Sequence, residues 1–230
     1  MTRDPEYRDP RYAQAVEEQR RLRGKVRLEP LPSGLRWIGG ADVSSNRFGR
    51  TFWGGIVVCD AASSFEAVAR SVVRMEVDFP YIPGLLAFRE VPMLEAAWER
   101  LERKPEVLLV DAHGLAHPRR MGCASHLGVR LGVPAVGCAK SRLCGEHEEP
   151  AAQRGAFSPL LMDGEVIGRA LRTRTGVKPV FVSPGHLSDL ASAAELVLRC
   201  SPRYRIPEPI RLAHEAVNAA RRGESEDVRK

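Results

Sequence analysis

No apolar run in the chain approaches the ~18 residues that a membrane-spanning helix needs. The N-terminus, MTRDPEYRDPRYAQ, is charged from Arg3 onward. It lacks the apolar stretch of a secretory leader, so the cytoplasm is the expected compartment and no membrane the expected partner. Cysteine is scarce and odd in number: the five are Cys59, Cys123, Cys138, Cys144 and Cys200, with no CxxC pair. That disfavours a disulfide framework and a zinc ribbon. Cys123, Cys138 and Cys144 together with His126 fit no standard zinc spacing. There is no internal repeat and no low-complexity tract.

What is present is ordinary for a folded protein. Hydrophobic residues make up 43% and charged residues 28% of 230, which argues against disorder, collagen and coiled coil. At roughly 150 residues per domain, one domain over 1–230 is expected, with 1–10 and 221–230 frayed. The net charge is +6. A basic chain of this size tolerates polyanions, of which nucleic acid is the commonest.

Patterning places the elements. Tyr12 to Arg23 reads as a charged helix packed on the outside. Three strands follow at Trp37–Val43, Phe52–Cys59 and Phe65–Val77, most simply an antiparallel meander. Leu85 to Arg103 has apolar residues at helical spacing, with Pro92 expected in the first turn. VLLV at 107–110 is the short continuous run of a strand buried on both faces. A helix over Gly122–Leu131 and a strand opening at Pro134–Val136 complete a parallel βαβ unit. Asp163-Gly164 signals a hairpin, and Val180–Val182 one more strand. Ser188–Arg199 reads as a helix with a Ser start, and Pro207 or Pro209 starts a last helix through Ala220. The fold expected is α/β: three antiparallel strands followed by βαβ, as a mixed sheet flanked by helices.

Asp42 lies at the end of the first strand and Asp111 immediately after VLLV. Acids at such points face the crevice where α/β folds hold ligands. One alone would ordinarily be a loop or helix cap. Two brought together need a cation to offset their repulsion. Glu90 is a third candidate, and three acids around one point would hold Mg²⁺.

GLAHPRRMGCASHLG (114–128) is the most unusual stretch. It reads as a phosphate-contacting loop running into a helix N-terminus; a solvated turn would explain its arginines but not its glycines and histidines. Lys140 emerges after the buried AVGCA. His113 and His126 are candidate hydrogen-bond donors, and His186 in SPGH reads as structural. In DFPYIPG (78–84) two prolines stiffen a loop. An exposed Tyr81 there would suit base stacking or wedging, and a Tyr81 packed on the core is the competing reading.

With these residues set out, the chain resembles the endonuclease V family, deoxyinosine-directed nucleases of DNA repair, from about Tyr12 to Ala219. The resemblance rests on GGADVS (39–44), PYIPGLLAFRE (80–90), VDAHGLAHPRRMGCASHLG (110–128), GCAKSRLCG (137–145) and YRIPEPIRLAH (204–214). It implies an RNase H-like core and Mg²⁺-dependent phosphodiester hydrolysis, with Mn²⁺ as a substitute ion. By the resemblance, Asp42, Glu90 and Asp111 hold the metal. His214 lies at the metal site, at a position of His or Asp in the family. Lys140 assists at the phosphate, and Tyr81 is the wedge, with Ile82 beside it on the substrate side. Backbone at Gly84 and Gly122 lines the base pocket. Arg89, His117 and Arg119 match nucleic-acid or site-organising contacts. Members cut the second phosphodiester bond 3′ to the lesion, leaving a 3′-hydroxyl and a 5′-phosphate. Ala112 departs from the Gly that many members carry, and its methyl would tighten the turn or narrow the pocket. The implied partner is deoxyinosine-containing DNA, bound by a monomer. Two rivals stand beside it: an inosine-specific endoribonuclease on single-stranded RNA, and a non-catalytic nucleic-acid-binding relative. The three acids and Lys140 argue against the second.

Overall fold

The computed structural model describes residues 10–46 and 49–223. Its elements are α1 (Pro10–Arg23), β1 (Trp37–Ser45), β2 (Thr51–Asp60), β3 (Glu66–Glu76), α2 (Ala87–Arg100), β4 (Val107–Val110), α3 (Cys123–Leu131), β5 (Ala135–Ala139), β6 (Phe157–Met162), β7 (Glu165–Leu171), β8 (Val180–His186), α4 (Leu190–Arg199) and α5 (Glu208–Arg222). Of the two segments expected to fray, Pro10 opens α1, Arg221 and Arg222 close α5 and Gly223 caps it; 1–9 and 224–230 lie outside the described residues.

All eight strands join one mixed sheet in the order β3-β2-β1-β4-β5-β8-β7-β6. β1, β2 and β3 form the expected antiparallel meander. β4 adds parallel to β1, and β5 parallel to β4, with α3 as the crossover. The pattern of the chain did not reveal that β8, β7 and β6 extend this same sheet antiparallel. The β6–β7 turn is the DG turn expected, with positive φ at both Asp163 and Gly164 (55° and 79°). Their left-handed backbone matches the twist of the flanking strands.

Each face of the sheet is covered. Ile38, Leu109, Val136 and Cys138 pack with α4 and α5 through Ala193, Val197, Ile210 and Ala213. Ala41, Leu108 and Val110 pack with α2 and α3 through Val91, Leu94 and Leu127. This alternation follows from the period of two along a strand. It fixes which face the residues at each strand end share.

Three local expectations are corrected. Helix α2 starts at Ala87, so Pro92 lies inside it rather than in its first turn; proline has no N–H for the carbonyl four residues back. α4 is capped by Asp189, whose Oδ1 accepts from the Ser192 N–H at 2.8 Å. Ser188 is buried instead, donating its hydroxyl to the Ala135 carbonyl at 2.8 Å. α1 is not merely external: Ala15 and Val16 form a small core with Ile82 and Leu85 beneath the PYIPG loop.

Candidate active site

Asp42, Asp111 and Lys140 arrive at one place because β4 and β5 end beside β1; Asp42 itself is not at a strand end, since β1 continues to Ser45 along β2. Ile38 and Leu109 face α5, so Asp42 and Asp111, at even spacing from them, share that face. The Asp111 N–H extends the ladder by donating to the Ala41 carbonyl at 3.0 Å. On β5, Val136 and Cys138 face the same way, and Lys140 follows at the next even position. Its ammonium forms an ion pair with Asp111 Oδ2.

α5 brings His214. A Cβ at Gly40 would lie 2.0 Å from the Pro209 carbonyl oxygen, so only glycine lets the helix approach β1 this closely. His214, on the next turns of α5, then meets Asp42, two residues along β1 from Gly40. Its Nδ1 lies 2.7 Å from Asp42 Oδ2. One ligand atom from each of Asp42, Asp111 and His214 lies within 4.8 Å of the others. Among the described residues these three form the cluster able to hold a metal ion.

Charge at this cluster is poorly balanced. Burial first, and then the nearby Asp111 charge, push the Asp42 carboxyl above its ordinary range. The hydrogen bond from His214, the Val43 N–H and the Lys140 charge oppose this. Glu90 lies outside the 4.8 Å cluster, yet its carboxyl feels the charges of both Asp42 and Asp111. Burial, chiefly, raises it to about 8, while a hydrogen bond from the Cys123 thiol lowers it. Carboxylates forced together this way favour a divalent cation, and two carboxylates with an imidazole are a donor set that suits one.

A cavity of about 390 Å³ opens beside the cluster, with Asp111 and Lys140 in its wall. Its two sides are the PYIPG loop, through Tyr81, Ile82 and Gly84, and the 117–122 loop, through His117, Met121 and Gly122. Ala112 and His113 also line it. Tyr81 is 63% exposed, which removes the reading that packs it on the core. Ile82 turns inward and is buried. The Arg89 guanidinium lies over the Phe52 ring at 4.8 Å and the Tyr81 ring at 5.9 Å, and its buried Nε has no hydrogen-bond partner.

Gly84 adopts φ +77°, a left-handed conformation that glycine reaches without strain. Its carbonyl accepts from Gln19 Nε2 at 3.0 Å, His117 Nε2 at 3.0 Å and Arg119 Nη2 at 2.7 Å. His117 Nδ1 accepts from the Arg119 N–H at 3.1 Å. Both ring nitrogens are thus used in the neutral form. Burial, with the Arg119 charge adding to it, lowers the pKa of His117 to about 4.

The phosphate-contacting reading of this loop changes accordingly. Arg119 holds Gln19 and Gly84, while Arg120 reaches the Met162 carbonyl at 3.2 Å and Glu165 at 3.1 Å. Gly122 caps α3, but its N–H donates to the Gly114 carbonyl, and that of Ala124 to the His113 carbonyl, both at 3.0 Å. Those donors face protein rather than an anion. His126 sits inside α3, buried edge-on against Phe88 at 5.1 Å, and not on a loop. His113 Nε2 donates to the Ser141 carbonyl at 3.0 Å. His186 is structural, its Nδ1 accepting from the Arg27 N–H at 3.3 Å. All five cysteines are free thiols.

Two residues at the site escape sequence reasoning. Arg205 donates to the Lys140 carbonyl at 2.6 Å and the Pro179 carbonyl at 2.8 Å, bracing the end of β5. Gln19 is part of the cavity wall. A signal for Gln19 exists: it continues the Ala15–Leu22 stripe at helical spacing, a polar residue among apolar ones.

An acid cluster with a lysine on adjoining parallel strands, able to hold a metal ion and next to a loop-walled cavity, is the kind of site an α/β enzyme carries. The Endonuclease V family profile matches residues 20–215. The endonuclease V of Myxococcus xanthus is 52% identical over 216 residues, covering 93% of this chain and 91% of that protein. Among solved structures, the endonuclease V of Streptomyces avermitilis superimposes with a TM-score of 0.88 at 45% identity, covering 92% of this chain and 93% of that one. That of Ciona intestinalis, in complex with a 23-mer DNA containing an inosine followed by a ribo-adenosine, gives 0.79 at 29% identity, covering 94% and 99%. The chain belongs to the endonuclease V family and is an endonuclease. Its mixed sheet flanked by helices is the RNase H-like architecture expected.

Proposed function

We propose that the protein hydrolyses the second phosphodiester bond 3′ to deoxyinosine in DNA, leaving a 3′-hydroxyl and a 5′-phosphate. The observation that carries this reading is the continuity of two features. The Asp42–Asp111–His214 cluster and the cavity between the Tyr81 and His117 loops share Asp111 in their walls. A nuclease that selects one base needs its cutting site and its base pocket to adjoin.

Asp42, Asp111 and His214 would hold Mg²⁺, with Mn²⁺ as a substitute and Glu90 completing the set. When bound, such an ion supplies Lewis-acid polarisation of the phosphate and activation of water. Lys140, paired with Asp111, offsets negative charge building on the phosphate in the transition state. Glu90, whose carboxyl burial raises to about 8, would have to give up its proton to act as a ligand. Tyr81, exposed at the cavity rim, fills the gap left by an extruded base. Arg89 supports Tyr81 from behind through its guanidinium face. Fixed backbone groups would meet hypoxanthine O6 and N1–H. Adenine would leave them unpaired, at a cost of about 1–3 kcal/mol per group. The enzyme acts in the cytoplasm as a monomer.

The test is a denaturing-gel assay on a duplex with one inosine, with and without Mg²⁺, alongside the matched inosine-containing RNA strand. Cleavage of the DNA only with Mg²⁺, one bond beyond the 3′ neighbour, is the expected result. Preferential cleavage of the RNA would reassign the substrate, and cleavage of neither would leave a nucleic-acid-binding relative. Tyr81→Ala should weaken binding of the inosine strand by about 1–3 kcal/mol, the scale of one stacked base. Unchanged affinity and selectivity would remove the wedge.

A further inference from the structure

Helix α1 contributes one buried amide to the wall of the base cavity. Gln19 is 1% exposed. Its Nε2 donates to the Gly84 carbonyl at 3.0 Å and to the Met121 carbonyl at 3.2 Å, one on each side of the cavity. Its Oε1 accepts from Arg119 Nε at 2.5 Å. A single side chain therefore ties together the two loops and the arginine that braces them.

The effect on the carbonyls is as important as the tie. A carbonyl oxygen has two lone pairs. Gly84 already serves three donors, from Gln19, His117 and Arg119. Met121 serves Gln19. The Gly84 carbonyl is then fully used, while the Met121 carbonyl keeps one lone pair. Adenine presents an exocyclic amine that requires an acceptor when buried. Hypoxanthine carries an oxygen in that place, which requires a donor, and it asks for an acceptor only at N1–H.

We propose that Gln19 is a specificity-determining residue, which fixes the spacing of the two loops and withholds the Gly84 carbonyl from an amino-purine. The inference rests on the base-selective nuclease reading above and deepens it. It predicts that the cost of accepting adenine comes partly from α1, a helix that no strand end or metal ligand would bring to notice.

Two variants separate this from a merely structural role. Gln19→Glu keeps an acceptor for Arg119 and loses both amide donors. Gln19→Met keeps the volume and loses every hydrogen bond. For each, kcat/KM is measured on a single-inosine strand and on the same strand with adenine, and the melting temperature is recorded. The inosine-to-adenine ratio should fall about tenfold in Gln19→Glu, the effect of one hydrogen-bonding mismatch. Gln19→Met should lower it at least as far. A general loosening would depress both substrates and leave the ratio alone. An unchanged ratio in a folded variant, whatever the fall in rate, overturns the proposal. A wild-type enzyme with no preference for inosine would instead overturn the functional reading on which it rests.

Discussion

The two halves of the site are built on opposite plans. At the proposed cation site the working groups are side chains from strands β1 and β4 and helices α2 and α5. They are short of compensating charge: Asp42 and Glu90 are raised by burial and by their neighbours. In the proposed base cavity the working surface is loop backbone, and its Gly84 carbonyl is more than satisfied, with three donors. The first region stores a need that an ion fills. The second stores a fixed shape that a base either matches or does not. The distinction predicts that damage to the first removes the reaction and spares the fold, whereas damage to the second alters selectivity and stability.

The largest effect belongs to the carboxylates. Asp42→Ala or Asp111→Ala should reduce nicking to background, and Glu90→Ala should do the same. Without metal, the Asp42 and Asp111 variants should melt no lower than wild type, because each removes one of two repelling charges. Marked destabilisation of both would show the acids to be structural, and so erase the contrast. Lys140→Ala should lower kcat about a hundredfold, on the scale of losing one transition-state charge partner. A change confined to KM would move Lys140 from the chemistry to ground-state binding.

Gly40→Ala tests how the halves of the catalytic cluster are brought together. Its Cβ would meet the Pro209 carbonyl at 2.0 Å. We expect a loss of about 1–3 kcal/mol of stability, the range for overpacking a tight contact, with weakened metal binding as His214 withdraws from Asp42. Undiminished metal affinity would dissociate His214 from the site.

The pocket half should show itself in acid. His117 and His126 are held to pKa values of about 4 by burial, against an ordinary 6.5. As pH falls the unfolded chain takes up these protons first. The stability they contribute is complete above pH 6.5 and is lost between there and about 4, by up to about 1.4 kcal/mol per pH unit for each histidine. Denaturant melts from pH 7 to 4 should steepen in this window, and His126→Phe should remove part of the slope. An unaltered slope in that variant would mean that the His126 ring is not held neutral by the fold.

Much of the fold was legible because the patterns were local. VLLV was bounded correctly from its continuous apolarity, and the DG turn from two residues. β8 was read short because Pro184 and Gly185 look like breakers. Its pairing with β7 covers only Val180–Val182, so Pro184 lies where β5 alone borders the strand, a place that tolerates a missing N–H. The extension of the sheet through β8, β7 and β6 depends on pairings distant in sequence, which no local period reports. At the site, Asp111 is legible as the residue after VLLV, whereas β1 runs on past Asp42 to Ser45, and the meeting of the two acids required the β1–β4 pairing. His214 came only through the family resemblance, since its approach depends on a close packing at Gly40. The arginines of the 117–122 loop were misjudged because basic residues near glycines resemble a phosphate loop. Only packing shows that carbonyls and a carboxylate of the protein already hold them.

The central claim is that Asp42, Asp111 and His214 share one catalytic cation. Titration calorimetry of Mg²⁺ into the wild-type protein and into Asp111→Ala, paired with the inosine-duplex nicking assay on the same samples, tests it most directly. Binding and nicking should both be present in the first and both be lost in the second. An Asp111→Ala protein that binds Mg²⁺ as tightly as wild type, or still nicks at the normal rate, would contradict the account.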